Sequence, residues 1–137
     1  MFFTDSDCQF NIQNLEPFLE KIKNYDFMAG YRKEREDLFL RRFFALIFRI
    51  FSGIFFGVWL KDIDCAFKLF KRDVLKDFSL FSSGALINFE ILAKLKKRGY
   101  FNFLEIPVEH FKRKHGKQTG GNIKVILKAI FNFFIYG

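Results

Sequence analysis

The chain has 137 residues, which is enough for one domain with an apolar core and too few for two ordinary domains. Apolar residues make up 50% of it and charged residues 28%, a composition that excludes disordered, collagen-like and low-complexity proteins. The net charge is +8, and acidic residues dominate the first 30 positions whereas basic residues dominate from residue 91 onward. Such a basic half suits anionic lipid, nucleic acid or a phosphorylated substrate.

Phenylalanine is strongly over-represented, with 23 copies against 1 Trp and 4 Tyr. So much aromatic surface is hard to bury in a small domain, and we expect part of it to face a partner or a lipid. Cys8 and Cys65 are too few for a disulfide framework, so we expect a reducing, cytosolic compartment and packing roles for both. The residues after Met1 do not form a signal-peptide pattern, and secretion is not expected.

The first elements are short. Met1–Phe3 are apolar and run into an acidic turn, as at the carboxyl end of a strand. Asn14 is a candidate cap for an amphipathic helix in which Pro17 is tolerated in the first turn. The apolar positions of that helix recur at helical spacing: Leu15, Phe18, Leu19 and Ile22. Residues 25–29 then predict a brief strand that ends at Gly30.

Residues 38–56 predict a long helix that is apolar except for the stripe Arg42, Ala45, Arg49 and Ser52. This apolar arc is wider than packing against a core requires. Arg49 lies in the middle, where an arginine opposes membrane insertion by about 2.5–3.5 kcal/mol, so we expect the helix to lie in the membrane interface rather than to span the bilayer. The alternative is a buried helix of a larger core.

The second half predicts a loop at 62–65, a strand at 67–70 and a short helix at 72–78. A helix over 85–98 is capped by Ser82 or Ser83 and stopped by Gly99. The strand 100–108 contains Pro107, which favours an edge position or a strand end. A basic, glycine-rich loop at 112–121 precedes a helix at 123–136 that has the same Phe-rich design as 38–56.

The acidic turn is the first candidate site. Asp5 and Asp7 flank Ser6 at a strand end, and Gln9 adds a neutral oxygen at the next alternate position. Such oxygen ligands suit Mg²⁺ or Mn²⁺ carrying a diphosphate. Taken alone, the same pattern also fits a helix cap or a solvated loop.

Six short motifs follow one another along the chain. They are Asp-x-Asp-x-Gln (Asp5, Asp7, Gln9), Gly-x-Arg-x-x-Arg-x-Asp (Gly30, Arg32, Arg35, Asp37), Asp-x-x-Cys-x-Phe (Asp62, Cys65, Phe67), an acidic helix residue before a glycine (Glu90, Gly99), Glu-x-Pro-Val (Glu105, Pro107, Val108) and Arg-x-x-Gly (Arg113, Gly116). Their order resembles that of the family 2 glycosyltransferases of GT-A fold, in particular those that transfer sugars to polyprenyl phosphates. Ala66 stands where that family usually has glycine.

The resemblance implies a fold class, α/β, with a Rossmann-like GT-A domain. Residues 1–137 would be its carboxyl-terminal part, without the amino-terminal strands that bind the nucleotide base, and with interface helices at about 38–57 and 123–136. It also implies roles for individual residues: metal and donor diphosphate binding by Asp5, Asp7 and Gln9; phosphate contacts by Arg32, Arg35 and Arg113; and a mobile substrate loop containing Gly116, Gln118 and Thr119. The usual Ser-Lys after the loop glycine is not kept, which leaves the role of Lys117 open.

Asp62 is the candidate catalytic residue. It could orient or deprotonate the acceptor, but a lipid phosphate is already ionised near neutral pH and needs little general-base help. Asp62 could instead position a cationic or metal-bound group, or simply form a local turn. Glu90 is expected to be structural, because it pairs with Lys94 at i, i+4. His110 and His115 lack a second ligand at zinc-like spacing.

The expected function is therefore inverting, Mg²⁺- or Mn²⁺-dependent transfer of a sugar from a nucleotide sugar to a membrane lipid acceptor, polyprenyl phosphate being favoured. The expected location is the cytoplasmic face of the cell membrane, with no nucleic-acid partner. One alternative is a non-catalytic cationic module for membrane surfaces or nucleic acid, although residues 112–117 contain no aromatic residue for base stacking. Another is an inactive truncated remnant, in which the strand before Asp5 would lack neighbours.

Overall fold

The computed structural model describes residues 1–6, 8–33, 39–81 and 86–111. Within these residues it is a mixed α/β structure with one four-stranded sheet. The strands are β1 (Phe2–Phe3), β2 (Phe27–Arg32), β3 (Lys68–Phe70) and β4 (Phe103–Val108), and the α-helices are α1 (Glu16–Lys21), α2 (Phe39–Phe56) and α3 (Leu86–Lys97). Short 3₁₀ helices lie at Ile12–Leu15, Ile22–Asn24 and Asp73–Leu75.

The strand order is β1-β3-β2-β4. Strands β1 and β2 are both antiparallel to β3, and β2 is parallel to β4. Strands β1, β2 and β4 therefore run in one direction, and their carboxyl ends lie at the same edge of the sheet as the amino end of β3. We call this the site edge.

The expectation that the strand before Asp5 lacks neighbours is wrong. Strand β1 pairs with β3 through Phe2 with Leu69 and Phe3 with Lys68. The amino group of Met1 also donates to the carbonyl oxygen of Phe70 at 2.6 Å. The partner strand comes from more than 60 residues later in the chain, and local sequence patterns carry no information on such a pairing.

Both faces of the sheet are covered. One cluster joins Phe27, Ala29 and Phe70 of the sheet to α3, including Leu92 and Leu95. A second cluster on the other face is formed around Phe67, with Phe18 of α1 packed against its ring at a centroid distance of 5.2 Å. Strands buried on both faces read as continuous apolar runs, which is why residues 27–29 and 67–70 contain so few polar residues.

The helix near residue 16 is capped differently from our expectation. The side chain of Asn11 accepts a hydrogen bond from the backbone N–H of Gln13 at 3.0 Å and caps the 3₁₀ turn that leads into α1, whereas Asn14 lies inside that turn. Phe18 is buried as predicted, but Leu19 is exposed. Helix α1 is short, and Phe18 is its only buried residue.

Helix α2 lies on the surface of the described structure. Phe48 packs on Phe89 of α3 at a ring-centroid distance of 5.6 Å, and Ser52 is fully buried. The apolar side chains on the outer side of α2 are substantially exposed and together form what we call its apolar face: Phe39, Phe43, Leu46, Ile47, Ile50 and Ile54. None of the described helices is both long and apolar enough to cross a membrane.

Two further strands are found with small shifts, but of the helix predicted at 72–78 only the 3₁₀ turn Asp73–Leu75 forms. Strand β2 runs on past Gly30 to Arg32, and β4 begins at Phe103. β4 is an edge strand of the described sheet, as Pro107 predicted. Helix α3 ends before Gly99, which has a φ of +82°. The predicted caps Ser82 and Ser83, the basic loop and the helix 123–136 lie outside the described residues.

Candidate functional site

The described site residues all lie along the site edge. Asp5 follows β1, Arg32 ends β2, and Asp62 lies in the loop before β3. Gln9 lies at the β4 end of the same edge. The next residue, Phe10, forms an isolated β-bridge with His110 just after β4. Open α/β sheets bind ligands outside the carboxyl ends of their strands, so the edge that collects these residues is the natural place for a site.

Arg32 and Asp62 form a buried, two-pronged ion pair. Nε of Arg32 donates to Oδ2 of Asp62 at 2.7 Å, and Nη2 donates to Oδ1 at 2.9 Å. The backbone N–H of Arg32 also donates to Oδ2 at 3.3 Å. The two side chains are only 10% and 4% exposed. Burial by itself lowers the pKa of Arg32, but the hydrogen bond and the charge of Asp62 outweigh it, and the pKa lies above its usual value.

This pairing fixes the guanidinium of Arg32. Both carboxylate oxygens of Asp62 are used by Arg32, so Asp62 is poorly placed to take a proton from a substrate. A guanidinium has five N–H donors, and those that Asp62 does not use can bind an anion. The arrangement can therefore present an oriented cation at the end of β2.

A shallow cavity of about 320 Å³, which we call the cationic groove, opens beside this ion pair. It is lined by Arg32, Lys33, Arg42, Ala45, Leu46, Arg49 and Lys61. The stripe predicted along residues 42–49 faces this groove, while Ser52 is turned inward and donates to the carbonyl of Phe48 at 2.7 Å. Because guanidinium and ammonium groups bind phosphate oxygens, the groove can accept a phosphate.

Two cationic residues of the groove, Lys33 and Lys61, were not predicted. Lys61 is tied to β4, since its backbone N–H donates to Oε1 of Glu105 at 2.7 Å, and its Nζ lies 4.5 Å from the centroid of the Tyr31 ring. Burial raises the pKa of Glu105. In the sequence, Lys33 and Lys61 could have been found from their positions next to the motif residues Arg32 and Asp62.

The acidic turn is connected to the chain beyond β4. Gln9 is buried and its Nε2 donates to the carbonyl of Phe111 at 2.9 Å, while the N–H of Phe111 donates to the carbonyl of Gln9 at 2.7 Å. Asn11 adds a bond from Nδ2 to Oε2 of Glu109 at 3.0 Å. The turn is thus held next to the residue that precedes the basic loop.

The described residues include only two of the three predicted metal ligands, Asp5 and Gln9. No group of three or more His, Cys, Asp or Glu side chains there could hold a metal ion. The exposed carboxylate of Asp5 and the amide of Gln9 are hard oxygen donors of the type that Mg²⁺ prefers. Asp7 lies outside the described residues, as do Arg35, Arg113, Gly116, Gln118 and Thr119.

Lys68 is a further polar residue that the sequence analysis missed. Its side chain is fully buried, and Nζ donates to the carbonyl of Ile63 at 3.0 Å, to the carbonyl of Cys65, and to Oδ1 of Asn88 at 2.9 Å. Burial lowers the pKa of Lys68. The signal was a lysine inside a strand that is apolar on both sides, a position where lysine is rare.

Glu90 is structural, as predicted. It is buried and contacts Lys94, its i+4 neighbour on α3. Both of its carboxylate oxygens lie 3.1 Å from the backbone nitrogen of Phe81, which donates to them. The nitrogen Nζ of Lys94 donates to the carbonyl of Ser79 at 2.7 Å. Glu90 and Lys94 thus hold residues 79–81 against α3.

The two cysteines should react very differently with thiol reagents. Cys65 is buried and its pKa is raised to about 11, chiefly by burial, whereas Cys8 is exposed, contrary to the packing role expected for it. At mildly alkaline pH we expect one thiol per native chain to react rapidly with dithiodipyridine and the second only after unfolding in urea. A Cys8→Ser variant identifies the slow thiol. Rapid reaction of Cys65 in the folded protein would contradict its burial.

No protein-family model matches this sequence. The resemblance therefore rests on the six motifs themselves, and the case for a function rests on the residues gathered at the site edge and on the cationic groove.

Proposed function

We propose that this chain is part of a family 2 glycosyltransferase of GT-A type that transfers a sugar from a nucleotide sugar to a lipid phosphate, with inversion. The observation that carries the proposal is the placement of the cationic groove. Leu46 belongs both to the groove and to the apolar face of α2. A site for phosphate therefore opens directly beside a surface suited to lipid, and the end of the acidic turn lies along the same sheet edge.

On the donor side, Asp5, Asp7 and Gln9 would hold a Mg²⁺ or Mn²⁺ ion with the donor diphosphate. Such an ion neutralises charge that develops on a departing nucleoside diphosphate. The connection of Gln9 to Phe111 holds this turn next to the residue that precedes the basic loop. Arg113, Gly116, Gln118 and Thr119 of that loop would close over the substrates. Arg35 would add a phosphate contact.

On the acceptor side, the lipid phosphate would lie in the cationic groove. One of its oxygens forms a bond to the anomeric carbon as the bond from that carbon to the diphosphate breaks. This nucleophile is already ionised near neutral pH, so the step requires no strong general base. Asp62 then acts by holding Arg32, and Arg32 with Arg42 and Arg49 positions the phosphate.

Membrane binding would use the apolar face of α2. A helix with exposed large apolar residues on one side and arginines along its flank is suited to the headgroup region of an anionic bilayer. Trp59 lies just beyond α2, is 53% exposed and packs so closely on Gly53 that a Cβ there would overlap its ring. Tryptophan favours the same interfacial depth. The corresponding location is the cytoplasmic face of the cell membrane.

Acidic substitutions on the apolar face should weaken vesicle binding. With the double variant Ile47→Glu and Ile50→Glu, we expect affinity for phosphatidylcholine–phosphatidylglycerol vesicles to fall about tenfold or more, because two partly inserted aliphatic side chains are lost. The fluorescence of Trp59, the only tryptophan, reports binding. Leu19→Glu, an exposed apolar residue of α1, is the matched control. Equal binding by both variants would contradict a membrane role for α2.

The activity itself is tested with membranes that contain the protein, radiolabelled nucleotide sugars of several bases, and polyprenyl phosphate. We expect divalent-metal-dependent transfer that is lost when Asp5 and Asp7 are both replaced by Asn. If the folded protein binds vesicles but transfers no sugar from any donor, the non-catalytic membrane module becomes the better description. Tight, salt-sensitive RNA binding that ignores the Asp5 and Asp7 substitutions would instead favour nucleic acid.

A further inference from the structure

Lys68 occupies a position that the fold would normally give to an apolar residue. Successive side chains of a strand point to opposite faces, and Phe67 and Leu69 belong to the cluster on the α1 side of the sheet. Lys68 and Phe70 therefore point to the other face, where Phe70 packs in the cluster with α3. A fully buried ammonium group in such a layer requires polar partners.

Those partners are concentrated on one turn. Residues 62–65 form a turn that is closed by a bond from the N–H of Cys65 to the carbonyl of Asp62 at 3.2 Å. Lys68 donates to two carbonyls of this turn, those of Ile63 and Cys65, and its third partner is Oδ1 of Asn88 on α3. The three N–H donors of the ammonium group thus connect the turn to the sheet and to the helix.

The turn begins at Asp62, which holds Arg32 in the cationic groove. Asp62 and the Lys68 acceptor Ile63 are adjacent in the chain, and both are buried. We propose that Lys68 is a positioning residue that fixes the turn 62–65 and thereby fixes Asp62 against Arg32. Only its effect on sugar transfer rests on the proposed function; its effect on the turn does not.

The thiol of Cys65 is a direct reporter of this turn. It is buried, and the carbonyl of the same residue accepts a bond from Lys68. In a Cys8→Ser background, we expect Lys68→Met to raise the rate at which dithiodipyridine labels the native protein about tenfold or more, because the two bonds that hold the carbonyls of Ile63 and Cys65 are lost. Asn88→Ala, which removes one of three partners, should raise it less. Lys97→Met on the exposed end of α3 is the matched control.

Low concentrations of urea separate local opening from global unfolding. Labelling through local opening of the turn depends little on urea, whereas labelling through global unfolding rises steeply with it, because the urea dependence follows the surface exposed. Fast, urea-insensitive labelling in Lys68→Met supports the proposal. Unchanged labelling, or labelling that follows global unfolding in both Lys68→Met and Asn88→Ala, overturns it and leaves Lys68 as an ordinary core residue.

Transfer kinetics supply a second readout. If Lys68 positions Asp62 and Arg32, Asn88→Ala should raise the KM for polyprenyl phosphate more than the KM for the nucleotide sugar, because Arg32 lines the groove and not the acidic turn. Equal changes in both would contradict the link from the turn to the groove. If the wild-type protein transfers no sugar, the proposed function fails while the labelling experiment still decides the role of Lys68.

Discussion

Replacing Asp62 by asparagine is expected to lower the free energy of unfolding by about 3–5 kcal/mol, the loss typical when one member of a buried ion pair is removed. The carboxylate accepts two bonds from the guanidinium and one from the backbone of Arg32, and the side chains of Arg32 and Asp62 are only 10% and 4% exposed. Asparagine keeps the size but removes the carboxylate charge that Arg32 contacts through both of its bonds. Urea unfolding measures the loss.

A double-mutant cycle separates the pair from its surroundings. Arg32→Met removes the cation, and the double variant Arg32→Met with Asp62→Asn should be more stable than the sum of the two single losses predicts, by about 1–3 kcal/mol. Asp77→Asn is the control, because Asp77 is exposed and its φ of +56° is one that asparagine tolerates. A loss below about 1 kcal/mol in Asp62→Asn, well under that range, would show that the pair is not held as described.

Substitutions in this ion pair also bear on function. Arg32→Lys keeps the charge but cannot form the two-pronged contact with Asp62. Under the proposed mechanism it should bind lipid phosphate less well while the folded structure is largely kept. If Arg32→Lys and Asp62→Asn both transferred sugar at the wild-type rate, Arg32 would not be positioning the acceptor.

Local sequence patterns predicted the elements that depend on local chemistry. The helix over 85–98 has basic residues in its last turn and a glycine after it, and α3 forms there. Proline at 107 favoured an edge position or a strand end, and β4 is an edge strand of the described sheet that ends one residue later, at Val108. The capping residue of the first helical turn was misplaced because two asparagines, Asn11 and Asn14, compete for the role and only the fold decides between them.

The contacts that build the candidate site are mostly long-range, and this limited what sequence could show. Arg32 and Asp62 are 30 residues apart, and Gln9 and Phe111 are 102 apart. The motifs nominated Arg32 and Asp62 separately, but the choice between proton transfer and ion pairing for Asp62 needed the distance between them. Lys68 was overlooked because its burial depends on α3 packing over that face of β3, and no local pattern in the sequence shows that contact.

Lys68→Met is expected to lower the free energy of unfolding by about 2–4 kcal/mol, because two backbone carbonyls and Asn88 lose their donor while staying buried. Adding Asn88→Leu should restore part of the loss, since it removes one of the stranded acceptors. Urea unfolding at neutral pH measures both. If the single and double variants were as stable as wild type, the buried ammonium group would contribute nothing to the fold.

The stability difference between wild type and Lys68→Met should also widen with pH. Burial lowers the pKa of Lys68 below its ordinary value of 10.5. Between the two values the unfolded chain holds a proton that the folded chain has released, so the stability contributed by Lys68 rises with pH up to about 10.5 and then levels off. The nearby charged groups are Asp62, Asp64 and Arg32, and these are unchanged in the variant.

Cys65 must be removed from this comparison, because its contribution has the opposite sign. Its pKa in the folded protein is raised from 9.0 to about 11, so the stability that it contributes is complete below pH 9.0 and is lost as the pH rises through about 11. Both proteins should therefore carry Cys65→Ala. A stability difference that stays flat or narrows on the way to pH 10.5 would mean that burial does not lower the pKa of Lys68 in the folded protein. A widening difference would show that Lys68 releases its proton more easily under α3 than in the unfolded chain, because burial disfavours the charged form.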